Sequence, residues 1–155
     1  MFARINQHLY IGDAGAAKDA NVMKQLGINV IFNLHEKIEN GETMVIDYVL
    51  PSQELMDSEF QKTMNKLEKI TADILICLQN KQTIFISCED GLNKSPLVVG
   101  YFLVKKCSFN PIEVVERLTD IYKDTNETTG EKTCQKKALT MASFRKLIKL
   151  TKPTV

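Results

Sequence analysis

The chain of 155 residues has no tryptophan, only four prolines and seven glycines, and no excess of either charge. Low proline and glycine contents, with 44% hydrophobic and 25% charged residues, exclude a fibrous or disordered chain and indicate a globular protein. Twenty Lys and Arg residues against nineteen Asp and Glu leave a net charge of +1, so no overall field attracts nucleic acid or anionic membranes. We expect one soluble domain over residues 1–155, and nucleic acid is not an expected partner.

Long hydrophobic runs are also absent. The longest apolar stretch, Pro96–Val104, is far shorter than the ~20 residues that cross a bilayer. The first eight residues include Arg4 and Asn6, where a secretory signal peptide would need an apolar segment. These absences predict a cytoplasmic protein that does not contact membranes, and they leave the nucleus open as a second location.

Metal-binding patterns are missing as well. The four cysteines contain no Cys-x-x-Cys pair, and neither His8 nor His35 has metal-ligand spacing with them. No metal site and no cofactor is predicted, and both histidines are expected to be structural. Three of the cysteines lie in apolar helical patterns or in a polar segment and are expected to be free thiols without a special role; these are Cys77, Cys107 and Cys134. The fourth, Cys88, lies in a different context.

Strand-like and helix-like segments alternate along the chain. Strands are predicted at 9–11, 28–34, 44–50 and 83–86. Helices are predicted at 16–26, from Asp57 or Ser58 to about 79, at 95–104 with Ser95 as the N-cap, at 111–122 and at 135–151. Gly27 is expected to end the first helix, Phe60 to begin the apolar stripe of the long helix, and Asn110 to start the helix at 111–122. Residues 123–134 have no apolar side chain beyond Cys134 and are predicted to form a mobile loop. The alternation predicts an α/β domain with a central sheet that helices cover on both faces.

The segment 84–96 carries the chemically informative residues. A buried strand leads to Cys88, a short turn follows, and a buried helix opens near Ser95. Such a strand–loop–helix unit directs backbone N–H groups at one point, which suits an anion and lowers the pKa of a nearby thiol. Gly91 permits a tight loop, and Lys94 adds a positive charge. The segment therefore predicts an anion cradle with a nucleophilic thiol.

This segment resembles the signature loop of the cysteine-dependent dual-specificity phosphatases, His-Cys-x-x-Gly-x-x-Arg-Ser, with Cys88, Gly91 and Ser95 at matching positions. The resemblance extends to 8–12, to 26–34, to 48–51 and to 100–103, and covers about residues 5–122. It implies a central mixed, mostly parallel sheet flanked by helices.

The resemblance also implies a role for each matching residue. Cys88 would attack a phosphoester, Lys94 would take the place of the clamping arginine, and Ser95 would assist breakdown of the phosphoenzyme. A carboxylic acid in the 51–57 loop would protonate the leaving group; Glu54 stands nearest to the expected position, and Asp57 is the alternative. The phosphate would lie against the loop residues Cys88, Glu89, Asp90, Gly91, Leu92, Asn93 and Lys94.

Two departures from the family pattern disfavour phosphate chemistry. Lys94 cannot make the planar, two-pronged contact of a guanidinium with two phosphoryl oxygens. Ser87 replaces the histidine that precedes the cysteine, and Glu89 and Asp90 put two carboxylates beside the site of a dianion. The sequence thus favours a pseudophosphatase that binds phosphorylated or acidic proteins in signalling.

Two other interpretations remain open. The first is a slow Cys88-dependent phosphatase acting on tyrosine, serine and threonine phosphates or on another phosphoester, and the second is an interaction module with a vestigial loop. The C-terminal segment is also basic, which indicates a solvated helix face or, alternatively, a docking surface for an acidic partner or nucleic acid. The residues are Lys132, Lys136, Lys137, Arg145, Lys146, Lys149 and Lys152.

Overall fold

The computed structural model describes residues 1–38, 41–50, 59–122, 138 and 142–153. The strands in these ranges are β1 (Phe2–Asn6), β2 (Leu9–Asp13), β3 (Val30–Asn33), β4 (Met44–Asp47) and β5 (Ile84–Cys88). The helices are α1 (Ala14–Lys18), α2 (Ala20–Leu26), α3 (Phe60–Gln79), α4 (Lys94–Lys105), α5 (Pro111–Thr119) and α6 (Ala142–Leu150). No helix in the described ranges is both long enough and apolar enough to span a bilayer.

The strands form one sheet in the order β1-β2-β5-β3-β4. Only β1 runs antiparallel to its neighbour, so the predicted mixed, mostly parallel sheet is confirmed. The strand β1 was not predicted. Its turn into β2 contains neither Gly nor Pro; instead, the Asn6 side-chain oxygen accepts a hydrogen bond from the His8 N–H at 2.9 Å.

The helix predicted at 16–26 is two helices. Asp19 ends α1, and its carboxylate accepts hydrogen bonds from the N–H groups of Asn21 and Val22 at the start of α2. An Asp side chain that bonds its own backbone competes with a continuous helix, which explains the break. Gly27 ends α2, as predicted, and the structure shows it in the left-handed conformation at φ 70°.

The long helix α3 ends at Gln79 as predicted, but its N-cap is Glu59 and not Asp57 or Ser58. Its buried side includes Leu67, Ile70 and Ile74, which pack into the main core. Phe60, predicted as the first residue of the apolar stripe, is 55% exposed. The buried stripe therefore begins after Phe60, and Thr63 is the first buried residue of the helix.

The helix α4 is buried on almost all sides, as its composition predicts. It begins at Lys94, so the prediction that Ser95 is its N-cap is wrong. The prediction for α5 is confirmed at its start, where the Asn110 side chain caps the helix, but the helix ends at Thr119, before the predicted end near 122. The helix α6 lies inside the predicted range 135–151, and its Ile148 is fully buried. The loop predicted at 123–134 lies outside the described residues.

Candidate functional site

The strand β5 occupies the middle of the sheet and places Cys88 at its carboxyl end. All five residues of β5 are buried, and Cys88 pairs in register with Asp13 of β2. On the other side, Ser87 pairs with Asn33 of β3. Because β2, β3 and β5 are parallel, their carboxyl ends meet at one edge, the usual position of ligand sites in α/β sheets. The residues 89–93 then connect Cys88 to α4.

This connecting loop packs against the end of β2 and against Tyr122. Gly91 has φ 71°, and a side chain added there would lie 2.8 Å from the Gly12 carbonyl carbon and 2.9 Å from the Asp13 nitrogen. The Ala14 N–H donates to the Glu89 carbonyl at 3.3 Å, and the fully buried Tyr122 hydroxyl donates to the Gly91 carbonyl. Only glycine fits this close backbone approach. Tyr122 was not predicted as a site residue, because no spacing relates it to the loop.

The Cys88 sulfur lies beneath the start of α4. Cys88 is 2% exposed, and its Sγ accepts a hydrogen bond from the Ser95 N–H at 3.4 Å. Burial raises the pKa of the Cys88 thiol, and the charge of Asp90 also raises it, whereas hydrogen bonds from Ser95 and the Gly91 backbone oppose the shift. This direction is opposite to the predicted one. The thiol is too deeply buried for the N–H groups above it to outweigh the loss of solvation.

Asp90 turns back into the loop. Its Oδ1 accepts a hydrogen bond from the Leu92 N–H at 2.9 Å and lies 3.9 Å from the Cys88 sulfur. A carboxylate of the protein itself is therefore bonded to one amide of the predicted cradle. Since a bound anion would use the same donor, Asp90 competes with it for that amide.

The Lys94 ammonium contacts a different part of the chain. It donates to the Leu50 carbonyl at 3.2 Å, which links the first residue of α4 to the segment that follows β4. Leu50 is 2% exposed and is the last described residue before 51–58. The structure thus brings Cys88, Asp90 and Ser95 together, and it engages Lys94 with the neighbouring backbone.

A family model described as "Dual specificity phosphatase, catalytic domain" matches residues 9–140 of the chain. The chain is a dual-specificity phosphatase family member. No curated protein sequence matches it significantly.

Three solved structures show the same fold at low identity. The structure of DUSP15 has a TM-score of 0.70 at 15% identity, over 96% of this chain and 85% of that one. A leucine rich repeat and phosphatase domain protein from Entamoeba histolytica has a TM-score of 0.68 at 18% identity, over 97% and 89%. The human tyrosine phosphatase-like serine/threonine/tyrosine-interacting protein has a TM-score of 0.62 at 11% identity, over 77% and 83%.

The position of the signature histidine is filled in this family member by Ser87. The side-chain oxygen of Ser87 is buried and has no hydrogen-bond partner among the described residues. Its backbone carbonyl accepts from the Leu34 N–H at 2.9 Å. The hydroxyl therefore does not support the loop in the way that the missing histidine is expected to.

The outer side of the signature loop carries Glu89, whose side chain is 76% exposed. His35, from the segment after β3, approaches Glu89 Oε2 with its Nε2 at 3.3 Å. His35 was predicted to be structural, and no sequence spacing relates it to the loop. The two candidate general acids, Glu54 and Asp57, lie outside the described residues, so their assignment stays a prediction.

Proposed function

We propose that this chain is a pseudophosphatase of the dual-specificity type that has little or no phosphatase activity and binds phosphorylated or acidic protein partners in signalling. The observation that carries the proposal is the Asp90 carboxylate on the Leu92 N–H, 3.9 Å from the Cys88 sulfur. A phosphate dianion entering the loop must displace this carboxylate and then lies close to its negative charge. Asp90 therefore weakens the binding of phosphate to the loop.

The thiol chemistry at Cys88 is impaired as well. Only the thiolate is nucleophilic, and burial and Asp90 both hold the pKa of Cys88 above the usual value for a thiol. The fraction of thiolate at neutral pH is small. Any turnover that depends on Cys88 is expected to rise as the pH increases.

The side chain at the position of the family's arginine adds a second defect. Lys94 donates to the Leu50 carbonyl, and a lysine cannot bind two phosphoryl oxygens with planar geometry. Loss of one preorganised contact to the transition state typically lowers a rate by about 10²–10³-fold. A loop with these properties retains backbone donors for an oxyanion and has little means of accelerating phosphoryl transfer.

A slow phosphatase is the second candidate function. The observation in its favour is the hydrogen bond from the Ser95 N–H to Cys88 Sγ at 3.4 Å, which stabilises a thiolate at Cys88. In that case Cys88 Sγ would attack phosphorus, the ester oxygen would leave with a proton from an acid of the 51–57 loop, and water would release phosphate from sulfur.

The two functions are distinguished by an aryl phosphate assay of the wild type and Cys88→Ser, together with calorimetric titration with vanadate. We expect equal background turnover in both proteins and weak vanadate binding. In Asp90→Asn, the vanadate Kd is expected to fall by at least about threefold, since a competing charge is removed. Turnover that is lost in Cys88→Ser would establish the slow phosphatase instead. Absence of vanadate binding in both the wild type and Asp90→Asn would contradict the cradle and leave a vestigial loop.

The partner class is tested with a phosphotyrosine peptide and the same peptide without phosphate. We expect the wild type to bind the phosphorylated form more tightly, and Asp90→Asn to increase that preference. Equal binding of the two peptides by both proteins would contradict recognition of phosphate.

A further inference from the structure

A second concave surface lies away from the Cys88 loop, between the first turns of α3, the last turn of α4 and the helix α6. This groove has a volume of about 520 Å³. Its apolar lining includes Phe60, Met64 and Leu150. Phe60 is 55% exposed and Leu150 is 69% exposed, so two large apolar side chains face water at one site. Exposed apolar side chains grouped in a groove mark binding sites more often than single exposed ones do.

Basic residues also line the same groove and form what we call its rim. They are Lys105, Lys146 and Lys152. Lys105 lies 3.4 Å from a Glu68 carboxylate oxygen, whereas Lys146 and Lys152 pair with no carboxylate of the described residues. Glu68 is also shared with Lys106, at 3.6 Å, and with the Tyr101 hydroxyl. One carboxylate among these cations leaves the rim with an excess of positive charge.

We propose that this groove binds a segment of a partner protein in which a large apolar side chain is flanked by acidic residues. The apolar side chain would pack on Phe60 and Leu150, and the acidic residues would pair with Lys146 and Lys152. This assignment gives the basic C-terminal segment a role beyond that of a solvated helix face. It is independent of the Cys88 loop, whose residues do not line the groove.

The combination of apolar floor and basic rim selects this occupant over others. A nucleic acid backbone would pair with the lysines and leave the apolar floor uncovered, since it offers no aliphatic side chain. A membrane surface would meet the rim but would not enter a concave groove. An acidic peptide with an apolar anchor satisfies both the charges and the exposed apolar area.

The test uses a short fluorescein-labelled peptide with one Phe between Glu residues, and a matched peptide with Lys in place of Glu. Fluorescence anisotropy measures the binding of each to the full chain. We expect the acidic peptide alone to bind, and its Kd to rise about tenfold in Lys146→Glu/Lys152→Glu, because two ion pairs become repulsive. Leu150→Ser should weaken binding at high and low salt alike.

A matched variant serves as the control. Lys18→Glu/Lys24→Glu makes the same change in net charge on exposed residues of α1 and α2. It should bind the acidic peptide like the wild type. An equal loss in Lys18→Glu/Lys24→Glu, or equal binding of the acidic and basic peptides, would overturn the proposal.

Other occupants are separate outcomes of the same study. One such outcome is that the protein binds no peptide and instead sediments with phosphatidylserine vesicles. If Lys146→Glu/Lys152→Glu abolishes that sedimentation, the proposal is overturned in favour of a membrane. A dimer in sedimentation equilibrium that Leu150→Ser dissociates would overturn it in favour of a second copy.

Discussion

The starts of two helices, α4 and α5, show how one local structure serves two purposes. At α5, Asn110 accepts hydrogen bonds from the N–H groups of Ile112 and Glu113 at 3.0 and 3.2 Å, and Pro111 occupies the first turn. At α4, the N-cap residue Asn93 makes no such side-chain cap, and the Ser95 N–H points at the Cys88 sulfur. Both helices begin with N–H groups that need acceptors.

The difference shows that the start of α5 contributes to stability, whereas the start of α4 belongs to the candidate site. The start of α5 is closed by its own side chain, so its N–H groups are used for holding the helix in place. At the start of α4, the Cys88 sulfur accepts from the Ser95 N–H. In the loop before it, the Asp90 carboxylate accepts from the Leu92 N–H. Acceptors that can be ionised, protonated or displaced make this helix start responsive to pH and to anions.

Gly91→Ala is expected to have the largest effect, because it destroys the close packing under the start of α4. A side chain at φ 71° is strained, and here it also meets backbone atoms of Gly12 and Asp13. We expect the free energy of unfolding to fall by about 3 kcal/mol or more, as measured by urea denaturation. Gly27→Ala is the matched control, since Gly27 has φ 70° with open space around it, and should cost only about 1 kcal/mol. Equal losses would show that the backbone contact is unimportant.

Asn110→Ala tests the closed helix start. Loss of its two cap hydrogen bonds should lower the free energy of unfolding by about 1 kcal/mol in urea denaturation. The pH dependence of Cys88 alkylation should not change, because Asn110 does not contact the signature loop. A changed Cys88 profile in this variant would mean that the two helix starts are not independent.

Alkylation of Cys88 by iodoacetamide tests the start of α4. Ser95→Ala removes a side-chain hydroxyl that lowers the pKa of Cys88, so the midpoint of the rate profile should move to higher pH. Asp90→Asn removes a charge that raises this pKa, so the midpoint should move to lower pH. Peptide mapping by mass spectrometry follows Cys88 separately, with the exposed Cys107 as the internal reference. A shift in the same direction in both variants would contradict the assigned contacts.

Ser87→Ala is expected to have the smallest effect. Because the Ser87 hydroxyl is buried without a partner among the described residues, its removal should leave the Tm unchanged or raise stability by up to about 1 kcal/mol. Tyr122→Phe is the comparison, since it removes the donor to the Gly91 carbonyl and should cost about 1–2 kcal/mol. Strong destabilisation by Ser87→Ala would reveal a partner for this hydroxyl.

Much of the fold could be predicted because its elements have local signals. The buried strand that ends at Cys88, the apolar helix α4, the Asn110 cap and the Gly27 helix end all follow from neighbouring residues. The break at Asp19 and the strand β1 could not be predicted, because each depends on a side chain bonding to backbone that the hydrophobic pattern does not show.

The site was predictable in its composition and not in its contacts. The positions of Cys88, Gly91 and Ser95 follow from the loop's spacing. The contact of Lys94 with Leu50 joins residues 44 apart in sequence, and the burial of Cys88 depends on the whole sheet. It is this burial that reverses the expected direction of the Cys88 pKa shift. Local sequence identifies the groups, and packing determines how they behave.

The place of β5 in the sheet has a consequence for how the chain folds. β1 pairs only with β2 on one side, and β3 pairs with β4 on the other, so β5 alone connects the two pairs. Two-stranded units are marginally stable by themselves, and contacts between distant residues slow folding. During synthesis, the sheet cannot close until the chain has emerged beyond residue 88. The strand that carries the thiol is thus also the one whose insertion completes the sheet.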